Sequence, residues 1–514
     1  MRFGSVKGTH LKELLLLLLF VIVKMVMSYI TINPVYELHR DEYLYLDQAN
    51  HLAAGYVSVP PLSSFIAFII QLLGNTVFWV KFFPAFFGAI TLVVCWYTVK
   101  ELGGGIKARI CTSLALIFSV LLRIDLLFQP NSFDVLSWTS IYYFLIRFIR
   151  SGARKWIIWT GIAIGLGFLN KYNVCFLLAG LLPALILTRQ ISLFFNKGYY
   201  LALLIPLVII LPNLFWQVHH HFPVVHHMKE LMATQLVNVD RKDFLTGQLI
   251  FFLGSDVLII AALAGLFFFP SFRVIRFVGW SYIFTIIIFV YFHAKNYYAL
   301  GLYPVLIATG CTYVELKFYK GWKNYLLPAF AFINLAVFIL VYPIIYPVLS
   351  PEKILQKQDK FKSLGLLKWE DGKDHPLPQD FADMIGWKEL AQKALVVYKA
   401  IPDSEKNKTL VVCDNYGEAG AINYYNHGKM NAAVSMNADY INWFPDIEVK
   451  NIIAVKYPGN FIEDKYIRLF QSISQQGIIE NQYSREYGAK VLLITGVDTS
   501  FRLLYRSAIE KEKF

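Results

Sequence analysis

Charge is scarce in this chain: Asp, Glu, Lys and Arg together make up 16% of its 514 residues, while 57% are hydrophobic. Soluble domains carry nearer 25% charge, so this is not their composition. Cysteine is scarce as well. Of five cysteines, Cys95, Cys111, Cys175 and Cys311 fall in apolar runs and Cys413 stands alone in a polar region. No Cys-x-x-Cys or Cys/His spacing points to a metal or disulfide framework. A phosphate-binding Gly-rich loop ending in Lys is missing, which argues against ATP-driven work. A Gly-x-Ser-x-Gly elbow is missing too, and Ser63-Ser64 has no evident partner for hydrolysis. The glycines of Tyr416-Gly-Glu-Ala-Gly do not make a dinucleotide fingerprint and read as a strand-to-helix turn. The net charge of +13 does not imply nucleic acid. Its basic residues lie mostly in short loops between apolar runs, as the positive-inside rule requires.

What is present is a succession of apolar runs of about 17 to 25 residues, the length that crosses a bilayer. Mean hydropathy is +0.50. The first run, 14–32, follows Arg2, Lys7 and Lys12. It resembles a signal peptide but is long and has no small-residue cleavage site, so it reads as a retained span with a cytoplasmic N-terminus. The run 62–73 is too short to cross and reads as a partly embedded helix broken at Gly74-Asn75. Further spans are expected at 77–99, 110–122, 133–149, 156–169, 174–187, 199–216, 248–269, 274–292, 297–314 and 325–348. A long polar loop is expected between the runs ending at 216 and beginning at 248. The cytoplasmic turns collect Lys100, Lys107, Arg109, Arg147, Arg150, Arg154, Lys155, Arg189, Lys197, Arg273, Arg276, Lys317, Lys320 and Lys323. The expected fold is a mainly α polytopic membrane protein of about 11–13 transmembrane helices. Its membrane domain is 1–349, and 350–514 is an extracytoplasmic domain. There, strand-like runs at 409–413, 451–455 and 491–494 alternate with helix-like 387–398 and 465–474, an α/β pattern.

The stretch 37–61, ELHRDEYLYLDQANHLAAGYVSVPP, lies between the first span and the next. It holds Asp41, Glu42 and Asp47 beside His39, Arg40 and His51. Charge so close to hydrocarbon is costly and is retained chiefly for function. Apolar spacing predicts a helix over 41–54, ended by Gly55, with Asp41 at the N-terminus where the dipole favours a carboxylate. Asp41 and Glu42, about 100° apart around a helix, do not both face one reacting atom. The same pattern is also that of a juxtamembrane helix with a solvated polar face.

The other polar clusters embedded in apolar sequence fall on the same expected outer face. They are Phe128-Gln-Pro-Asn131-Ser-Phe-Asp134, Asn170-Lys171-Tyr172-Asn173, Pro212-Asn213 with Trp216-Gln217 and His219 to His221, and His293-Ala-Lys295-Asn-Tyr297-Tyr298. Taken singly, Lys171 and Lys295 are cations that snorkel at span ends. Together they suit an anion held at the membrane surface, such as a lipid phosphate. His219, His220, His221, His226 and His227 are possible metal ligands, but consecutive histidines on a helix do not point at one centre, which favours a solvated loop.

These motifs, in order, resemble bacterial members of glycosyltransferase family 39: the acidic pair and Pro60-Pro61-Leu62, Gly-Phe-Leu-Asn-Lys-Tyr172, Pro-Asn-Leu-Phe-Trp-Gln217 before the histidines, and Lys-Asn-Tyr-Tyr298. That family includes relatives of the protein O-mannosyltransferases and the aminoarabinose lipid A transferase, with the GT-C fold. The resemblance covers the chain to about residue 350, and the segment ending at Tyr425 also looks like the C-terminal domains of some members. It implies transfer of a sugar from a polyprenyl-phosphate-linked donor to an acceptor hydroxyl or phosphate, with inversion, on the outer face of the bacterial cytoplasmic membrane. Asp41 would be general base with Glu42 beside it; Lys171, Lys295 and Tyr298 would hold the donor phosphate. Asp47, Pro61, Asn131, Asp134, Tyr172, His219 and Tyr297 would line the pocket. No cofactor is implied beyond a possible divalent metal ion. The expected acceptor is a glycolipid, a protein or an envelope polymer. The rival reading is a transporter of lipid-linked sugars, which would have midplane charges and related halves.

Overall fold

The computed structural model describes residues 3–191, 200–234, 237, 240–460, 462 and 464–513. Arg2, Lys197 and the first residue of the expected span 199–216 lie outside the described residues, as does the side chain of Lys7. The chain divides into two compact units. One comprises 1–32, 78–215 and 230–348; the other comprises 33–77, 216–229 and 349–514. The second unit joins residues 349–514 with the acidic stretch and the histidine segment.

The first unit is built of apolar helices whose side chains meet in one continuous core running from Leu17 to Leu327. Neighbouring helices pair as Pro130–Ser151 with Arg154–Asn170, Val174–Leu187 with Arg276–Tyr291, and Asp256–Phe268 with Tyr303–Lys317. The last pair crosses closely because Gly310 has no side chain: a Cβ there would sit 1.9 Å from the Leu258 carbonyl oxygen. Small residues at such crossings let helix backbones approach in a membrane, where apolar surface alone drives little association.

Five described helices are long and apolar enough to cross a membrane, or six if the bent pair Leu203–His219 and Pro223–Ala233 is one span. These make the chain a multi-pass membrane protein. Of the remaining expected spans, 133–149 lies in the continuous but less apolar helix Pro130–Ser151, and the others correspond to shorter or broken helices. The run 248–269 is not one span: helix Arg241–Ile250 ends, Gly254 takes φ +94°, and Asp256–Phe268 begins afresh. The run 110–122 likewise stops at Ile117, with a separate turn at Leu121–Ile124. The expected polar loop after Trp216 instead holds helices Pro223–Thr234 and Arg241–Ile250. His221 and Phe222, at φ +59° and +56°, make the 76° bend between the first of these and the preceding helix.

The second unit is built on a five-stranded sheet of β1 (Thr409–Cys413), β2 (Ala433–Ser435), β3 (Asn451–Lys456), β4 (Phe470–Ile478) and β5 (Lys490–Val497), in the order β2-β1-β3-β5-β4. β1 runs parallel to β2 and β3, and β5 is antiparallel to both β3 and β4. The central strands β1 and β3 are buried almost throughout and read as continuous apolar runs. The expected helix over 465–474 is corrected: only Asp464–Ile467 is helical, and Phe470 onward is the edge strand β4. In the same unit the short apolar helix is Leu62–Leu72, terminated by Gly74 at φ +100° and Asn75 at +52°.

Candidate active site

Two clusters hold the expected site residues, one in each unit. In the second unit the acidic stretch forms helix Arg40–Asp47, followed by a tighter turn Gln48–Asn50. It is shorter than the expected 41–54, and Gly55 plays no left-handed capping part. His39 is the N-cap: its Nδ1 accepts from the Asp41 N–H at 3.2 Å, and its own N–H donates to Glu42 Oε2 at 2.6 Å. This reciprocal capping satisfies N–H groups that a helix start leaves unpaired. It also occupies the Glu42 carboxylate in a fully buried position. Asp47 is buried as well, accepting from Asn50 Nδ2 at 2.9 Å and Asn423 Nδ2 at 2.6 Å.

Asp41 differs. Its side chain remains 32% exposed, at the second position of the helix, where the N-terminal dipole stabilises negative charge. One oxygen, Oδ1, accepts a hydrogen bond from the Tyr416 hydroxyl at 2.7 Å. The other lies 4.0 Å from His39 Nδ1. Of the three carboxylates, geometry leaves this one accessible for chemistry.

The segment Tyr416–Tyr425 is a helix packed directly on Arg40–Asp47, and its sequence explains the closeness. Asn415 is its N-cap, and Glu418 closes a second capping box by accepting from Asn415 N. Gly417 and Gly420 face the acidic helix. A Cβ at 417 would stand 2.5 Å from Arg40 Cγ, and one at 420 would stand 2.8 Å from Tyr43 Cβ. Arg40 lies over the Tyr416 ring at 4.2 Å, and Tyr43 is fully buried among Trp387, Tyr424 and Tyr425. The backbone is tied down too: Glu37 N donates to Met384 O at 2.7 Å and Arg40 N to Asp383 O at 2.9 Å. Burial pushes the Asp383 carboxyl up, and Arg485, at 3.0 Å, pulls it back. Burial and then the neighbouring Glu486 push Glu418 well above the usual range.

Pro61, buried, ends the acidic stretch; its carbonyl accepts from Ser64 Oγ at 2.7 Å. His219 closes helix Tyr200–His219 on an exposed face, its ring 5.3 Å from that of His220. Among the described residues no three or more His, Cys, Asp or Glu side chains gather as a metal site.

In the first unit, Lys171 sits between helices Arg154–Asn170 and Val174–Leu187. Its Nζ donates to Asn131 Oδ1 at 2.9 Å and lies over the rings of Tyr298 at 4.4 Å and Tyr297 at 5.1 Å. Asn173 bridges Asp134 Oδ2, 2.7 Å away, and the Tyr298 carbonyl, 2.9 Å away. Asn170 donates to the Pro130 carbonyl, fixing the loop that carries Asn131. Lys295, half-buried, is close enough for its charge to act on Lys171. Thus Lys171, Asn131, Tyr297 and Tyr298 meet directly, Asp134 joins through Asn173, and Tyr172 turns aside to Asn213 at 2.9 Å. The Lys171 ammonium is thus held by an amide oxygen and two aromatic faces, with the Asp134 carboxylate near enough to act on its charge.

Sequence reasoning missed two features. Lys24, alone in the first apolar run, makes a buried ion pair with Asp125 at 2.7 Å. The signal was there: a lysine in the middle of hydrophobic sequence needs a partner. Tyr416 was visible within its glycine motif, but nothing in the spacing links it to Asp41.

The architecture is a GT-C glycosyltransferase fold. Particular relatives can be named. The chain aligns with ArnT from Cupriavidus metallidurans bound to undecaprenyl phosphate, with a TM-score of 0.60 at 14% identity, covering 93% of this chain and 97% of that one. The apo state of the same protein gives 0.61 at 15% identity with the same coverage. Residues 58–216, which include Asn131, Asp134 and Lys171, match the family described as dolichyl-phosphate-mannose-protein mannosyltransferase. The lipid A galacturonosyltransferase RgtD of Rhizobium johnstonii is 26% identical over 200 residues, 37% of this chain. That alignment spans 41% of the relative's own length. The resemblance to glycosyltransferases of this class therefore holds in both sequence and fold.

Proposed function

We propose that this protein is a membrane glycosyltransferase using a polyprenyl-phosphate-linked sugar donor. The observation that carries the reading is the accessibility of Asp41, the carboxylate that neither capping nor burial consumes. The undecaprenyl phosphate bound by ArnT supports the donor class, and the likeness to the lipid A galacturonosyltransferase RgtD supports sugar transfer.

In the proposed step an acceptor hydroxyl attacks the anomeric carbon. Asp41 takes the hydroxyl proton as general base. The bond between the anomeric carbon and the phosphate oxygen breaks, and polyprenyl phosphate leaves with the electron pair. A direct displacement of this kind inverts the anomeric centre. Lys171 and Lys295 balance the charge that grows on the departing phosphate, the kind of fixed electrostatic stabilisation that contributes most when water is excluded. An acceptor phosphate would need no base, so dependence on Asp41 also bears on acceptor type. The protein sits in the bacterial cytoplasmic membrane with the N-terminus inside and residues 350–514 outside, consistent with the distribution of loop lysines and arginines. The acceptor is a glycolipid, a protein or an envelope polymer.

The test is a panel of polyprenyl-phosphate sugars in proteoliposomes, with envelope extract as acceptor. Release of free polyprenyl phosphate coupled to sugar transfer is the expected result. Movement of intact donor across the bilayer without any release would replace this reading with the transporter.

A further inference from the structure

The glycine motif beginning at Tyr416 has no part in the chemistry above, yet it reaches the proposed base. We propose that Tyr416 is a positioning residue for Asp41: its hydroxyl holds the Asp41 carboxylate in one orientation and favours the ionised form. This rests on the proposed role of Asp41.

The geometry comes first. The Tyr416 hydroxyl to Asp41 Oδ1 distance, 2.7 Å, suits a hydrogen bond to a charged acceptor. The ring has little freedom, because the Arg40 guanidinium covers it at 4.2 Å and Tyr416 opens a helix fixed by two capping groups. Gly417 makes room for the Arg40 side chain that does the covering. The phenol is also a dependable donor. Burial, and then the charge of Asp41, push its ionisation far above the physiological range, so it carries its proton throughout.

Asp41 is faced by His39 and Arg40 on its own segment and by Tyr416 from the packed helix. Asp383 acts on both Arg40 and Tyr416, and Glu486 acts on Arg40. The Tyr416 hydroxyl donates directly to the Asp41 carboxylate, so loss of that hydroxyl should raise the carboxyl's ionisation pH. A hydrogen bond to a charged group corresponds to about tenfold or more in equilibrium.

The experiment uses full-length protein in nanodiscs. The Asp41 carboxylate band is isolated by infrared difference against Asp41→Asn and titrated in wild type and Tyr416→Phe. The midpoint should rise by about one pH unit in Tyr416→Phe. A ring-fluorinated tyrosine at 416, a stronger donor of nearly the same shape, should lower it, which keeps the test valid if the Phe variant folds poorly. Tyr425→Phe removes a hydroxyl that serves Glu37 and Tyr43 on the same helix and should leave the midpoint unmoved. With a donor in hand, Tyr416→Phe should lower kcat about tenfold at unchanged KM and shift the acid limb upward. An unmoved midpoint in both Tyr416 variants, or an equal shift in Tyr425→Phe, would overturn the proposal. Absence of turnover with every donor would instead refute the proposed function, and the infrared titration would still decide this inference.

Discussion

The packing of helix Tyr416–Tyr425 on the acidic helix makes a prediction whose sign is informative. In Gly420→Ala the new methyl would lie 2.8 Å from both Tyr43 Cβ and the Tyr440 hydroxyl oxygen, and 3.0 Å from the Tyr43 carbonyl carbon. Comfortable carbon contacts lie at about 3.5–4.0 Å, so each is short by roughly 0.5 Å or more. The obstacles cannot swing away. One is backbone, one is the root of a side chain locked among three aromatic rings, and Tyr440 is itself fully buried. Overpacking of this kind costs about 1–3 kcal/mol. Against it stands the gain of about 1 kcal/mol from replacing glycine with alanine inside a helix. The net expectation is destabilisation by up to about 2 kcal/mol. For a unit of this size that lowers Tm by about 2–4 °C per kcal/mol. Thermal unfolding of the full-length protein in detergent, followed by tryptophan fluorescence, reads it directly. A Tm raised by a few degrees, the outcome for an open helix face, would refute the close approach.

Three further expectations concern other parts of the molecule. Lys24→Met leaves Asp125 buried without its cation and should destabilise the helical unit by about 3–5 kcal/mol, while Lys24→Met with Asp125→Leu recovers most of the loss; a double variant as damaged as the single one, in the same melting assay, contradicts the pairing. The second unit should gain stability as pH falls from 7 towards 5. Asp439, its carboxyl pushed up to about 6 by burial, binds a proton in the folded state at a pH where the unfolded chain has released it. The gain is complete only near the unfolded value of about 4 and is lost as pH rises through 6, a swing of up to about 3 kcal/mol. Glu37 and Asp383, also raised chiefly by burial, act in the same direction. A Tm that falls steadily from pH 7 to 5 would contradict this. Finally, Lys171→Met should cut turnover by about 100-fold or more, with Lys171→Arg retaining part of it; turnover within threefold of wild type in the Met variant would remove Lys171 from the phosphate site.

Strands β1, β3 and β5 were legible because their residues are apolar on successive positions, the mark of strands buried inside a sheet. Strand β4 was not, since FQSISQQGI is an edge strand with mostly exposed side chains and a register irregularity between Gln475 and Gly477. Its polar spacing passes as easily for a helix. The apolar run 248–269 read as one crossing because hydropathy is blind to the backbone turn at Gly254. The cluster around Lys171 was legible as a set of polar residues at span ends. The acidic stretch showed three candidate carboxylates but not their division of labour. That division depends on Glu42 turning back to cap its own helix and on Asp47 meeting Asn423, a residue 376 positions away. The Tyr416–Asp41 bond spans 375 positions, and only the folded second unit brings the two together.

The central claim is that Asp41 performs the chemistry rather than the folding of the site. The direct measurement is a single turnover: purified protein in nanodiscs, in excess over a radiolabelled polyprenyl-phosphate sugar, with acceptor present. Release of polyprenyl phosphate is timed for wild type and Asp41→Asn, and donor binding is measured on the same samples. The account predicts that Asp41→Asn binds donor as wild type does and releases polyprenyl phosphate at least 100-fold more slowly, the scale of a lost general base. Release by Asp41→Asn within a few-fold of wild type would contradict it.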